Sequence, residues 1–310
     1  MNLRMTQTQD TYQVAAMYRF VSIEDIPALR QEIYDFAEAN TPSMCGTLLL
    51  APEGVNGTIA ASLADMDKMI DFLDDKLGVR SGGTACELKF SHASKQPFNR
   101  FKVRPKKELI TLRKPEADPT KQVGEYVAPK DWNALISDPD VILIDTRNDY
   151  ETKVGMFEGT IDPDIKIFTE FPDWVEKNLD ATKDKKVAMF CTGGIRCEKA
   201  SAYMLAQGFE NVYHLKGGIL EYLETIPADE SKWEGDCFVF DHRVSVGNGL
   251  EEGDWSVCHA CREPISAAEV LRSEYEKGVS CHHCITTLTP EREKSLRARQ
   301  DHYNTRYSDE

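Results

Sequence analysis

Val187-Ala-Met-Phe-Cys-Thr-Gly-Gly-Ile-Arg-Cys-Glu-Lys-Ala200 decides the fold of this chain. An apolar run from Val187 to Phe190 ends in a cysteine and a glycine pair. Good helix formers with apolar residues at helical spacing follow, through residue 206. That order predicts a buried strand, a sharp loop and a helix. The loop can turn its backbone N–H groups around one sulfur, and the helix points the positive end of its dipole at the same place. Both favour the thiolate, which is the reactive form of cysteine. Arg196 adds a fixed positive charge. A reactive Cys191 is expected; the alternative is a structural thiol under a strand-turn-helix unit. Cys197, in the first helical turn, is either a resolving thiol for an oxidised Cys191 or a packed core residue.

The flanking sequence repeats the pattern. Residues 129–136 read as a helix capped near Asp131, and residues 141–144 as a buried strand ending in Asp145-Thr-Arg147. Residues 157–161 and 171–178 follow before the cysteine loop, and 211–215 read as a strand followed by Lys216-Gly-Gly218 and a helix over 219–225. Alternating strands and helices predict a parallel α/β sheet with ligands beyond its carboxyl strand ends. Asp145, Arg147, Cys191 and Lys216-Gly-Gly218 fall there. Glu198 and Lys199 read as a solvated helix face.

Upstream, residues 12–21, 45–51, 57–61 and 86–90 read as strands, with helices over 26–37, for which Ser22 and Asp25 offer an N-cap, and 63–77, ended by Gly78. Asn56-Gly57 is a tight-turn signal. The order βαββαβ predicts a ferredoxin-like α+β unit. Asn56, Cys45 and Cys86 read as turn and core residues, and Glu53 as solvated.

Between the two units, residues 95–114 read KQPFNRFKVRPKKELITLRK, with eight Lys or Arg against one Glu. Arg100, Lys102 and Arg104 alternate and share one face of an extended strand, with Lys106 and Lys107 just beyond. Basic residues interleaved with Phe98 and Phe101 are the signature of single-stranded nucleic-acid contact. A solvated linker or a charge-protected edge strand is the alternative. Downstream, Cys258-His-Ala-Cys261 and Cys281-His-His-Cys284 are 19 residues apart. That is the spacing of a structural four-cysteine zinc ribbon. Residues 290–306 read as a polar helix and the last four as frayed.

Composition sets the bounds. The chain has 310 residues, 41% hydrophobic, with a net charge of −15, so nonspecific nucleic-acid binding by the whole surface is disfavoured while a local basic site is not. It lacks an apolar run of membrane-span length, and the first ten residues are polar without a signal core. A cytoplasmic protein is expected, and its nine cysteines are expected as thiols or metal ligands. Neither a dinucleotide glycine fingerprint nor a convincing His-His-carboxylate set is present, so no organic cofactor is evident. Nothing points to a protein partner. The expected organisation is a ferredoxin-like domain over 1–94, a basic connector over 95–128, a parallel-sheet α/β domain over 129–228 and a four-cysteine zinc-binding region over 229–310.

Asp145-Thr-Arg147, Glu158-Gly159, Cys191-Thr-Gly-Gly-Ile-Arg196 and His214-Leu-Lys-Gly-Gly218 together resemble a rhodanese domain. In rhodaneses the loop cysteine carries a persulfide and the Asp-x-Arg pair braces the site. With Ala51-Pro-Glu-Gly-Val-Asn-Gly-Thr58, Arg100-Phe-Lys-Val-Arg104 and Trp233-Glu-Gly-Asp-Cys-Phe-Val-Phe-Asp241, the chain is similar to the bacterial rhodanese-like tRNA uridine hydroxylases over residues 12–300. Members of that family commonly carry Arg-Met where this chain has Arg100-Phe101. The resemblance implies 5-hydroxyuridine formation at wobble position 34 of tRNA, with molecular oxygen as co-substrate and Cys191 essential. It also implies that the basic segment belongs to the RNA-binding surface. The competing expectation is a sulfurtransferase that works through a Cys191 persulfide.

Overall fold

The computed structural model describes residues 12–80, 85–183 and 186–306. The readings of the polar first ten residues and of the last four lie outside these. The N-terminal unit runs β1 (Tyr12–Phe20), α1 (Ile26–Asn40), β2 (Cys45–Ala51), β3 (Gly54–Ala61), α2 (Leu63–Leu77) and β4 (Cys86–Ala93). Asp25 caps α1 by accepting from the Ala28 N–H, and left-handed Gly78 ends α2. The strands order β4-β1-β3-β2, the ferredoxin-like arrangement. β5 (Phe101–Pro105), inside the stretch read as a connector, adds a fifth strand parallel to β2.

Period-2 alternation gives this sheet two different faces. Ala15, Met17, Leu48, Leu50, Val55, Ile59 and Val103 pack against Ile33 of α1 and Met66, Met69, Ile70 and Leu73 of α2. The opposite face carries two cross-strand rows. One runs Lys102, Thr47, Thr58, Ala16, Lys89; the other runs Arg104, Leu49, Asn56, Tyr18, Glu87. Asn56-Gly57 is not a turn: both residues lie inside β3, and the chain reverses at Pro52-Glu53. The local turn signal gives way to strand pairing on both sides.

The central unit contributes β6 (Glu125–Val127), α3 (Pro129–Ile136), β7 (Val141–Asp145), α4 (Asp149–Thr152), β8 (Gly155–Phe157), α5 (Phe171–Asn178), β9 (Lys186–Phe190), α6 (Ile195–Ala206), β10 (Asn211–Leu215) and α7 (Gly218–Thr225). Its parallel sheet orders β6-β10-β9-β7. Asp131 sits in the first turn of α3, whose cap position is Ala128. One core lies between this sheet and α5 and α6, around Ile144, Phe171, Met189 and Tyr203; the other gathers Trp132, Phe157, Phe190, Tyr222 and Trp233. β11 (Trp233–Gly235) pairs with β8 and leads into the four-cysteine segment and the polar helix Pro290–Arg306. Among the described residues no helix is long and apolar enough to cross a membrane.

Candidate active site

Cys191 stands one residue beyond β9, and its Sγ accepts from the Gly194 N–H at 3.1 Å. The loop is pinned from behind by α7. The N–H groups of Ile219 and Leu220 donate to the Cys191 and Thr192 carbonyls at 3.0 and 3.1 Å. Gly218 makes this approach possible, because a Cβ there would stand 2.5 Å from the Cys191 carbonyl oxygen. Gly218 and the first turn of α7 are thus the clamp on the loop.

Burial works to raise the Cys191 thiol. The Cys197 thiol, the Arg196 guanidinium and the backbone N–H groups of Cys197 and Arg196 overcome it and hold Cys191 below its ordinary value. Cys197 moves the other way: burial and the neighbouring Cys191 push it well up. The pair therefore splits into one thiolate and one donor thiol. Arg196 is fixed by Glu151, which takes its guanidinium on both oxygens at 2.6 and 2.7 Å, all of it buried.

Asp145 and Arg147 lie behind the loop. They are fully buried, bonded to each other, and Arg147 also donates to the Glu151 and Gly155 carbonyls. The Arg147 guanidinium lies over the Trp233 ring at 5.1 Å. The Asp-x-Arg pair therefore braces the segment whose Glu151 side chain holds Arg196. Glu151 escaped sequence reading because α4 is a single turn and its partner is 45 residues away.

Glu198 and Lys199 are not solvated. Glu198 is 0% exposed and accepts from Tyr18 Oη at 2.7 Å and Tyr126 Oη at 2.9 Å. Burial dominates the balance against these two phenols and pushes its carboxyl up to about 7. Lys199, 3% exposed, bridges Glu53 and Glu108 at 2.8 Å each. Glu53, read as solvated, takes this ammonium and also the Leu109 N–H at 2.6 Å. Lys89 on β4 reaches Glu221 of α7 at 2.8 Å, and Arg243 reaches Ser91 at 2.9 Å. These contacts seat the N-terminal sheet against the cysteine helix.

Between them lies a cleft of about 860 Å³, whose walls include Cys191, Thr192, Arg196, Tyr18, Asn56, Thr58 and Lys102. Phe240, 57% exposed, stands at its rim with its ring edge-on to Phe238. Arg100 and Arg104 are exposed on β5 or just before it, sharing the strand face of Lys102, and Lys106 and Lys107 are exposed just beyond. The structure thus brings Cys191, Arg196, Cys197 and the basic strand to one place, with Asp145 and Arg147 as support.

Away from the cleft, the four sulfurs of Cys258, Cys261, Cys281 and Cys284 lie within 4.8 Å of one another, three of the pairs at 3.6–3.9 Å. Tetrahedral zinc with Zn–S near 2.3 Å requires S···S separations of roughly 3.8 Å. The cluster fits a four-thiolate ion.

Known proteins confirm the two units. Residues 12–109 match the UPF0176 acylphosphatase like domain and residues 128–225 the rhodanese-like domain. Over nearly the whole length the chain is similar to curated proteins named tRNA uridine(34) hydroxylase. That of Rhizobium etli is 54% identical over 93% of this chain and 91% of its own, and that of Picosynechococcus 52% over 92% and 94%. That of Deinococcus radiodurans is 50% identical over 94% and 95%.

Proposed function

The chain belongs to the tRNA uridine(34) hydroxylase family, and from that premise we propose that it hydroxylates C5 of the wobble uridine of tRNA through Cys191. The observation that carries this reading is the shared cleft. An activated thiolate, an exposed aromatic rim and the basic strand carrying Lys102 open onto one space. A chain with a net charge of −15 gathers cations there because phosphates must be neutralised where RNA docks. The substrate places this work in the cytoplasm.

Molecular oxygen is the proposed oxygen source. Replacing C5–H by C5–OH and returning the second oxygen atom as water consumes two electrons and two protons. Closing the Cys191 thiolate and the Cys197 thiol to a disulfide releases both electrons and one proton, solvent supplies the second proton, and a cellular thiol reductant would then reopen the pair. This gives Cys197 a role beyond packing. Zinc on Cys258, Cys261, Cys281 and Cys284 is structural in this scheme: four thiolates leave no open position, and the ion closes a segment with little core of its own.

The test is mass spectrometry of tRNA nucleosides from cells lacking this protein, complemented by wild type or by Cys191→Ser. Loss of 5-hydroxyuridine and its derivatives on deletion, restored by wild type alone, is expected. Unchanged 5-hydroxyuridine on deletion would refute the reading. Rhodanese-type turnover of thiosulfate and cyanide would favour sulfur transfer instead.

A further inference from the structure

Asn56 stands on the cleft face of β3, directly paired with Tyr18 on one side and Leu49 on the other. The hydroxyl of Tyr18 crosses the cleft to Glu198, and it lies 3.0 Å from where a Cβ on Gly194 would stand. Asn56 is therefore one tyrosine side chain away from the cysteine loop. Its carboxamide makes no hydrogen bond to any other described residue, although it is half-buried. Lining the cleft and bonded to no neighbour, this amide keeps its acceptor and its donor free for a ligand. Around it the floor is cut low by Thr58, Ala16 and Thr47, all lining the same cavity. Gly57 keeps β3 tight on β2, since a Cβ there would stand 2.1 Å from the Thr47 carbonyl oxygen.

We infer that Asn56 grips the pyrimidine edge of the target nucleotide and so aims its C5 at Cys191. The inference rests on the uridine-hydroxylase reading of the same cleft. A reacting base must leave its stack to enter such a pocket, and it is then held by its Watson–Crick edge. Uracil presents an N3–H donor beside the O2 acceptor. A carboxamide carries the complementary acceptor and donor side by side. Held at N3 and O2 on the sheet floor, the ring points C5 away from the sheet, toward the loop on the opposite wall. Asn56 is a positioning residue and takes no part in bond making.

The test is a binding cycle between the side chain and the base. Anticodon stem-loop RNA carrying uridine or N3-methyluridine at position 34 is titrated against Cys191→Ser protein, with Asn56 intact, as Asn56→Ala, or as the near-isosteric Asn56→Leu. With Asn56 intact, N3-methylation should weaken binding about tenfold or more. With either replacement, both RNAs should bind equally, near the weaker value. A merely structural role would lower affinity for both RNAs and preserve their ratio, which would overturn the inference. So would equal binding of the two RNAs with Asn56 intact. Absence of 5-hydroxyuridine formation by the wild-type enzyme would instead strike the hydroxylase reading, and the affinity ratio would still decide the role of Asn56.

Discussion

Replacing Glu198 by glutamine should change how stability depends on pH. Glu198 is fully buried between Tyr18 and Tyr126, and burial pushes its carboxyl from an ordinary 4.5 up to about 7. Between those values the folded chain keeps a proton that the unfolded chain has released. Stability from this group is therefore fully present below about pH 4.5 and is lost as pH rises toward 7. At ~1.4 kcal/mol per pH unit, the interval comes to roughly 3 kcal/mol. Glutamine cannot release a proton, so Glu198→Gln should gain on wild type by that amount across the interval and then run parallel to it. Its amide N–H groups add a constant offset, because the two phenols that face it must turn to accept. Urea unfolding of both proteins at intervals from about pH 4 to pH 9 reads the difference directly. Other titrating groups cancel between the two curves. Curves that stay parallel throughout would mean that the phenols keep Glu198 ionised, and the burial argument would be wrong.

Three further outcomes follow from the geometry. Cys197→Ala removes the thiol that donates to Cys191, so the pH midpoint of Cys191 alkylation by iodoacetamide should rise and the rate at neutral pH should fall; an unmoved midpoint refutes the split thiol pair. Purified protein should carry about one zinc per chain, lost in Cys258→Ser and Cys281→Ser with a lower melting temperature and unchanged Cys191 alkylation. Equal metal content in the variants would rule out the ribbon. Arg100→Glu combined with Lys102→Glu should weaken tRNA binding and flatten its salt dependence by a slope of about 2, leaving thiol reactivity intact; equal affinity refutes the basic strand as RNA surface.

The cysteine loop was legible because its information is local. Strand, glycine pair, arginine and helix lie within fourteen residues, and each constrains the next. The four-cysteine cluster was legible for the same reason, since ligand spacing encodes the knuckles. Tyr18 and Glu198 were not, because 180 residues separate them and a glutamate in a helical first turn reads as solvated until another sheet is laid on it. Asn56-Gly57 misled because its turn preference is real in isolation and strand pairing on both sides outweighs it. The basic segment showed its charge in sequence but not its strand, because β5 forms only by borrowing the edge of β2. What sequence concealed is the meeting of the two units, and the cleft exists only there.

Glu198 and Lys199 are neighbours on one helical turn; Glu198 shares its carboxyl between Tyr18 of the N-terminal sheet and Tyr126 of the central one, and Lys199 spends its ammonium on Glu53 and Glu108. A central unit expressed alone would strip Tyr18 from the carboxyl of Glu198 and leave a bare ammonium on Lys199. The N-terminal unit alone would lose the roof over Asn56 and Tyr18. The two folds act as a single unit here. A gene split between β5 and β6 should yield halves that must find each other before either one works.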